Sequence, residues 1–284
     1  MRIVVFDDFR LGLLETGGIR DITDLVEEPP PYAAALRLND LVARFDHLPL
    51  EEGRRSSPLL PLESVSLRPS SPAPRNFLAA PLNYADHGAE MAPSLGNGAT
   101  ARELGFFVKA AGSLSGASDP IELPDMPGRR FDYEGEIAVV IGREARGVPR
   151  ERALEHVFGY TLIVDATMRM TDNDREERTM RKSFWTFSPC GPWIVTADEI
   201  PHPETLTVQL SVNGVPRQKG SLSDLIVDVP GLIELASNVL PLQPGDVIAT
   251  GTPSGIGELR AGDEVVVSSE AIGEMRLQVK RRGW

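Results

Sequence analysis

The stretch Phe131-Asp132-Tyr133-Glu134-Gly135-Glu136-Ile137-Ala138-Val139-Val140-Ile141-Gly142 begins polar and acidic and ends as a run of branched apolar residues. Read as a β-strand, its side chains alternate between two faces, so Asp132, Glu134 and Glu136 share one. Two glutamates two residues apart stand about 7 Å from each other along a strand and can converge on one cation. A ligand set made only of oxygen suits Mg²⁺, Mn²⁺ or Ca²⁺ better than Zn²⁺. The same pattern also fits an edge strand with an acidic solvent face, and this segment alone does not choose between them.

Outward from that strand, the chain from Asn76 onward reads as many short strands. They are Phe77–Ala80, Leu104–Lys109, Glu136–Ile141, Gly159–Asp165, Trp193–Thr196, Thr207–Asn213, Val247–Thr250, Asp263–Ser268 and Gly273–Lys280. Helical segments are few, roughly Glu151–Val157 and Pro230–Ser237, and Asn213-Gly214 is a strong hairpin turn. This is a strand-rich α+β pattern and not a βαβ alternation. Before it lie a short strand at Ile3–Phe6, a hairpin across Gly17-Gly18, and an amphipathic helix within Tyr32–Leu48. The Pro- and Ser-rich stretch Glu51–Arg75 reads as a connector. The expected division is a small N-terminal β-rich cap, residues 1–65, and a larger domain, residues 66–284.

Composition narrows the function. The 284 residues carry 41 acidic and 29 basic side chains, a net charge of −12. Such a chain is a poor partner for nucleic acid or an anionic membrane. A small anionic substrate stays open, because a metal and a few placed cations reverse the local field. One cysteine excludes an internal disulfide or a multi-cysteine metal site. The N-terminus lacks a signal-peptide pattern and no apolar run reaches spanning length, so a cytoplasmic protein is expected.

Four further motifs carry chemistry. In Asn83-Tyr84-Ala85-Asp86-His87-Gly88-Ala89-Glu90, His87 and Glu90 share one face of a helical turn. They read as a general base steadied by a carboxylate or as an ordinary surface contact. Asp165 ends an apolar strand and needs a partner; it reads as a third metal ligand or as a helix N-cap. Lys182 follows a highly charged loop and reads as an enolate or oxyanion stabiliser or as a solvated lysine. The loop Gly251-Thr252-Pro253-Ser254-Gly255 lacks the lysine of a phosphate-binding loop, but its N–H groups can hold a carboxylate or oxyanion.

Taken together, these segments resemble the fumarylacetoacetate hydrolase superfamily over about Asn76–Lys280. The carriers include Asn83-Tyr84 with His87 and Glu90, Phe107-Val108-Lys109, Asp132-Tyr133-Glu134-Gly135-Glu136, Asp165, Arg169, Lys182-Ser183-Phe184, Gln218 and Thr250-Gly251-Thr252-Pro253-Ser254-Gly255. The resemblance implies a mixed β-roll or sandwich core around Mg²⁺ or Mn²⁺, in a homodimer. It implies Glu134, Glu136 and Asp165 as metal ligands and His87 with Glu90 as the water-activating pair. Lys182 would be the carbanion or enolate stabiliser, with Tyr84, Arg169, Gln218 and Thr252 as substrate contacts. The implied activity is hydrolysis of a C–C bond in a β-diketo acid or acylpyruvate of catabolism. A decarboxylase, a dienol isomerase in the same site, or a metal-binding relative without turnover are the alternatives.

Three departures from the family pattern bear on substrate. Val164 precedes the third ligand where asparagine is usual. Asp172 stands where a neutral amide is usual and is expected to disfavour an anionic group there. Trp185 replaces an aspartate and is expected to narrow or apolarise the pocket. The segment Asn83–Ser94, in a run of small residues that continues through Gly96 and Gly98, is expected to form a mobile lid.

Overall fold

In the computed structural model, described over residues 1–95, 100–171 and 175–283 with the side chains of 93–95 set aside, three sheets carry a mixed α+β fold. The largest sheet has eleven strands. At its centre the Gly135–Ile141 strand lies antiparallel to Val157–Val164 on one side and Val247–Ala249 on the other. All seven residues of the central strand are buried. That is why its apolar run shows no alternation: both faces are covered. A five-stranded sheet contains the hairpin Thr207–Val212/Val215–Ser221. Its turn residues, Asn213 and Gly214, have φ of 51° and 75°, the left-handed pair that the Asn-Gly signal demands.

The opening stretch is not one strand. It breaks at Glu134. Phe131–Tyr133 belongs to a three-stranded sheet with Thr167–Met168 and Gly257–Glu258, while Gly135 onward belongs to the large sheet. The acidic segment therefore crosses from one sheet to another, and the corner is where the site forms.

The N-terminal strands are continuous with this architecture. Arg2–Phe6 pairs antiparallel with Ser188–Thr196, and the hairpin Arg10–Glu15/Gly18–Asp21 extends the same sheet outward. The expected Tyr32–Leu48 helix is α-helical only over Arg37–Arg44, flanked by 3₁₀ turns. Its Leu38, Leu41 and Val42 pack against Val140, Phe158 and Ile194 of the large sheet. The Pro- and Ser-rich stretch is no loose connector. Leu50–Ser56 is helical, and Ser70 and Ser71 are fully buried, with the Ser70 N–H bonded to the Cys190 carbonyl. The expected Leu104–Lys109 strand shrinks to Phe107–Val108. Thr100 and Glu103 form a capping box that starts a short helix at Ala101, and Gly105 at φ 74° ends it.

Candidate active site

The strand register places the carboxylates. Gly135 pairs with Val164 and Glu136 with Ile163. The Asp165 N–H then bonds the Glu134 carbonyl at 2.8 Å, so Asp165 stands across from Glu134. Oxygens of Glu134, Glu136 and Asp165 all lie within 4.8 Å of one another, and all three residues are buried. Asp132, expected on the same face, lines the same cleft but is not one of the three converging carboxylates; Arg130 and Arg169 hold it, and Arg169 bridges it to Glu134. The break at Glu134 sets it apart, since Phe131–Tyr133 belongs to another sheet.

Cations balance two of the three carboxylates. Lys182 Nζ donates to Glu134 Oε2 at 2.7 Å, Asp165 Oδ2 at 2.6 Å and Thr167 Oγ1 at 2.8 Å. These use all three ammonium protons. Arg169 donates to Asp132 and, at 2.6 Å, to Glu134. Burial works to raise the Glu134 carboxyl, but Lys182 and Arg169 overcome it and hold it well below its ordinary value. Glu136 forms no ion pair among the described residues; it accepts the Gly251 N–H at 2.8 Å. Burial, then the charges of Asp165 and Glu134, push its carboxyl well above the ordinary range.

Lys109 was legible only as part of a motif, not as a site residue. It is 1% exposed, donates to Asp165 Oδ1 and bonds the Phe187 carbonyl at 3.2 Å. Asp165 thus has one ammonium on each oxygen. Asp165→Asn leaves both lysines facing a neutral amide in the interior. Breaking a buried pair in this way costs about 3–5 kcal/mol, and a urea unfolding midpoint should register that loss.

His87 and Glu90 meet as expected. His87 Nδ1 lies 3.1 Å from Glu90 Oε2, and the imidazole is buried. With a carboxylate at Nδ1, that nitrogen carries the hydrogen and Nε2 is the acceptor. The helix carrying them, Ala85–Leu95, is fastened to the glycine-rich loop. Ser254 Oγ donates to Asp86 at 2.6 Å, and the Gly255 N–H donates to Glu90 Oε1 at 3.1 Å. Gly255 sits at φ 96°, and a Cβ there would meet the Arg217 carbonyl at 2.0 Å, so only glycine fits. The loop therefore does hold carboxylates, but they are the protein's own: Gly251 serves Glu136 and Gly255 serves Glu90. Gly96 and Gly98, which continue the small-residue run beyond the expected lid, lie outside the described residues, as does Asp172.

His87, Glu90, Lys182 and the three carboxylates line a cleft of about 800 Å³. Of the residues expected to contact substrate, Arg169 and Thr252 line it. Gln218 is buried and does not. Its carbonyl accepts the Gly135 N–H at 2.9 Å, and its amide donates to Thr252 Oγ1 and to the Pro253 carbonyl. It fixes the Glu-Gly-Glu corner to the loop. Tyr84 also lies outside the lining, because its ring is drawn against Gly220, where a Cβ would stand 3.1 Å from it. Trp185 does not narrow the cleft: it is 61% exposed, with the Arg282 guanidinium 5.1 Å from its ring. Among the described residues no helix is long and apolar enough to cross a membrane.

The family model for the fumarylacetoacetate hydrolase C-terminal domain matches residues 76–280. The chain belongs to the fumarylacetoacetate hydrolase family. Maleylpyruvate hydrolase of Aquipseudomonas alcaligenes is 38% identical, covering 99% of both chains. The crystal structure of maleylpyruvate hydrolase from Sphingobium sp. SYK-6, in complex with manganese(II) ion and pyruvate, superposes with a TM-score of 0.86 at 38% identity over the whole of both chains. A probable 2-hydroxyhepta-2,4-diene-1,7-dioate isomerase from Mycobacterium abscessus follows with a TM-score of 0.80 at 30% identity, covering 100% of this chain and 99% of its own. The family match spans the same residues as the resemblance read from the sequence.

Proposed function

We propose that the protein is a divalent-metal-dependent hydrolase of the C–C bond in an acylpyruvate-type 2,4-dioxo acid. The observation that carries this reading is the convergence of three buried carboxylates, a His–Glu pair and a lysine on one cleft. An all-oxygen cluster with no histidine or thiol fits Mg²⁺ or Mn²⁺, and Ca²⁺ as a stand-in. Glu134, Glu136 and Asp165 would hold the ion. When bound, such an ion supplies Lewis-acid polarisation of a chelating 2-oxo acid. The maleylpyruvate hydrolases, one of them seen with manganese and pyruvate, support the same assignment.

The chain's own residues do the rest. His87 Nε2 takes a proton from water, whose oxygen attacks the carbonyl distal to the 2-oxo acid. Glu90 keeps the imidazole oriented and stabilises the imidazolium. As the C–C bond breaks, the electron pair passes to the pyruvate enolate beside the Lys182 ammonium, and the proton held on His87 Nε2 returns to its carbon, giving pyruvate and a carboxylic acid. Arg169 and Thr252 are proposed to orient substrate oxygens. Gln218 is a positioning residue.

A dienol isomerase in the same site is the second reading, favoured by the relative from Mycobacterium abscessus; an oxo-acid decarboxylase needs the same enolate stabilisation. A cytoplasmic homodimer acting on a small anionic acid completes the proposal, with residues 1–65 as an N-terminal unit and 66–284 as the catalytic one. The test is a screen of acylpyruvates, oxaloacetate and a dienoate with Mg²⁺ or Mn²⁺. Pyruvate should form from acylpyruvates, cease with chelator and return with Mn²⁺. Turnover confined to oxaloacetate or the dienoate would replace this reading.

A further inference from the structure

Resting on that reading, we propose that Lys109 is a positioning residue that confines Asp165 to one oxygen at the metal and so sets the site against Ca²⁺. The two oxygens of Asp165 face different surroundings. Lys182, which lines the cleft, donates to Oδ2 at 2.6 Å. Lys109 does not line the cleft, and it reaches Oδ1 from the interior. It is anchored there at both ends. Its backbone N–H bonds the Phe77 carbonyl at 2.9 Å, and its ammonium also donates to the Phe187 carbonyl at 3.2 Å. The Phe77 ring centroid lies 6.0 Å from Nζ. A carboxylate passes from one-oxygen to two-oxygen coordination by turning about its Cβ–Cγ bond. With Oδ1 tied to a buried ammonium and Oδ2 facing the cleft, that turn is resisted, as partners outside a metal's ligand set orient the ligands themselves.

The other two carboxylates are tied in the same way. Arg169 holds Glu134 Oε1 at 2.6 Å, while Oε2 faces Lys182 at 2.7 Å. Glu136 Oε2 takes the Gly251 N–H at 2.8 Å. Each carboxylate is left with one oxygen to give: Glu134 Oε2, Glu136 Oε1 and Asp165 Oδ2. The single ammonium of Lys182 bonds the first and the last, so these oxygens face a common space. An ionised carboxylate oxygen has a second lone pair, so each can meet Lys182 and a cation together. Three one-oxygen ligands leave the rest of an octahedron to substrate and solvent, which suits Mg²⁺ and Mn²⁺. Ca²⁺ takes about six to eight oxygens and draws on two-oxygen carboxylates to reach that number. Of the side chains that tie the triad, Arg169 and Lys182 line the cleft and Lys109 stands outside it. Its removal therefore probes the tie without touching the groups assigned to substrate.

The test is titration calorimetry of the wild type and Lys109→Met with MnCl₂ and with CaCl₂. Methionine keeps the apolar stem, and Asp165 keeps Lys182 as its counter-charge. Freed at Oδ1, the carboxylate can turn and offer Ca²⁺ a further oxygen, while Mn²⁺ loses an oriented ligand. The preference for Mn²⁺ over Ca²⁺ should therefore shrink by about tenfold or more, at the scale of lost outer-shell partners. A merely structural role would weaken both ions alike and leave the ratio where it was, and that result would overturn the inference while leaving the metal-dependent reading intact. A second measurement needs no variant. In a crystal of the wild type soaked with CaCl₂, Asp165 should reach the ion through Oδ2 alone, with Oδ1 still on Lys109. Both Asp165 oxygens on the ion would overturn the inference whatever Lys109→Met does. Failure of the wild type to bind Mn²⁺ at all would sink the metal-dependent reading, and the inference with it.

Discussion

Glu136→Gln is expected to remove divalent-cation binding and to lower turnover by about 10³-fold or more, while making the metal-free protein more stable at neutral pH. The kinetic figure follows because metal catalysis is worth several kcal/mol and each 1.36 kcal/mol is about tenfold. Among the three carboxylates this one is the clean probe. Glutamine keeps an oxygen for the Gly251 N–H, and no lysine or arginine is orphaned, because Glu136 forms no ion pair among the described residues. The stability gain has a definite sign. The folded protein holds the Glu136 proton more tightly than the unfolded chain, whose ordinary value is near 4.5. Its contribution to stability is full below that pH and is lost as pH rises through the raised folded value. The variant escapes that loss. Thermal melts of metal-free protein across that range should therefore separate, with Glu136→Gln increasingly the more stable as pH rises. In the wild type, metal uptake should release a proton, visible as a buffer-dependent heat that the variant lacks. Melts that run parallel at every pH would contradict the assignment.

His87→Ala is expected to lower turnover by about 10²–10⁴, the usual worth of a positioned acid–base group. Metal affinity should stay as it is, because the triad is built of carboxylates alone. Glu90→Gln should give a smaller loss, since the imidazole remains and only its polarising charge goes. Exogenous imidazole should restore part of the His87→Ala activity. The variant also separates reactions. Decarboxylation needs no attacking water, so an enzyme of that type would keep much of its rate. Full activity in His87→Ala would remove the dyad and leave Lys182 and the metal as the machinery.

How much of this was legible in the sequence can be argued residue by residue. The Glu134–Glu136 spacing is written in adjacent residues, as is the His87–Glu90 pair, which needs one helical turn. Asp165 as the third member was carried by the family resemblance, because only the strand pairing brings it across from Glu134. The hairpin at Asn213-Gly214 follows from conformations few other residues adopt. Lys109 was hidden, because its partner Asp165 is 56 residues away, and a lysine ending a short strand usually means solvent. Gln218 reads as a substrate contact until its three hydrogen bonds to the Glu-Gly-Glu corner and the loop are seen. The break at Glu134 was hidden too: both halves read as strand, and only the pairing partners assign them to different sheets. Trp185 illustrates the reverse error, in which the residue type suggested a pocket wall and the backbone carried it to the surface.

The most direct measurement is mass analysis of the products formed from an acylpyruvate in H₂¹⁸O by the Mn²⁺-loaded enzyme. Hydrolysis by a His87-activated water predicts unlabelled pyruvate and a carboxylic acid carrying one ¹⁸O from solvent. A product of unchanged mass, or loss of CO₂ without cleavage between the carbonyls, would contradict the account.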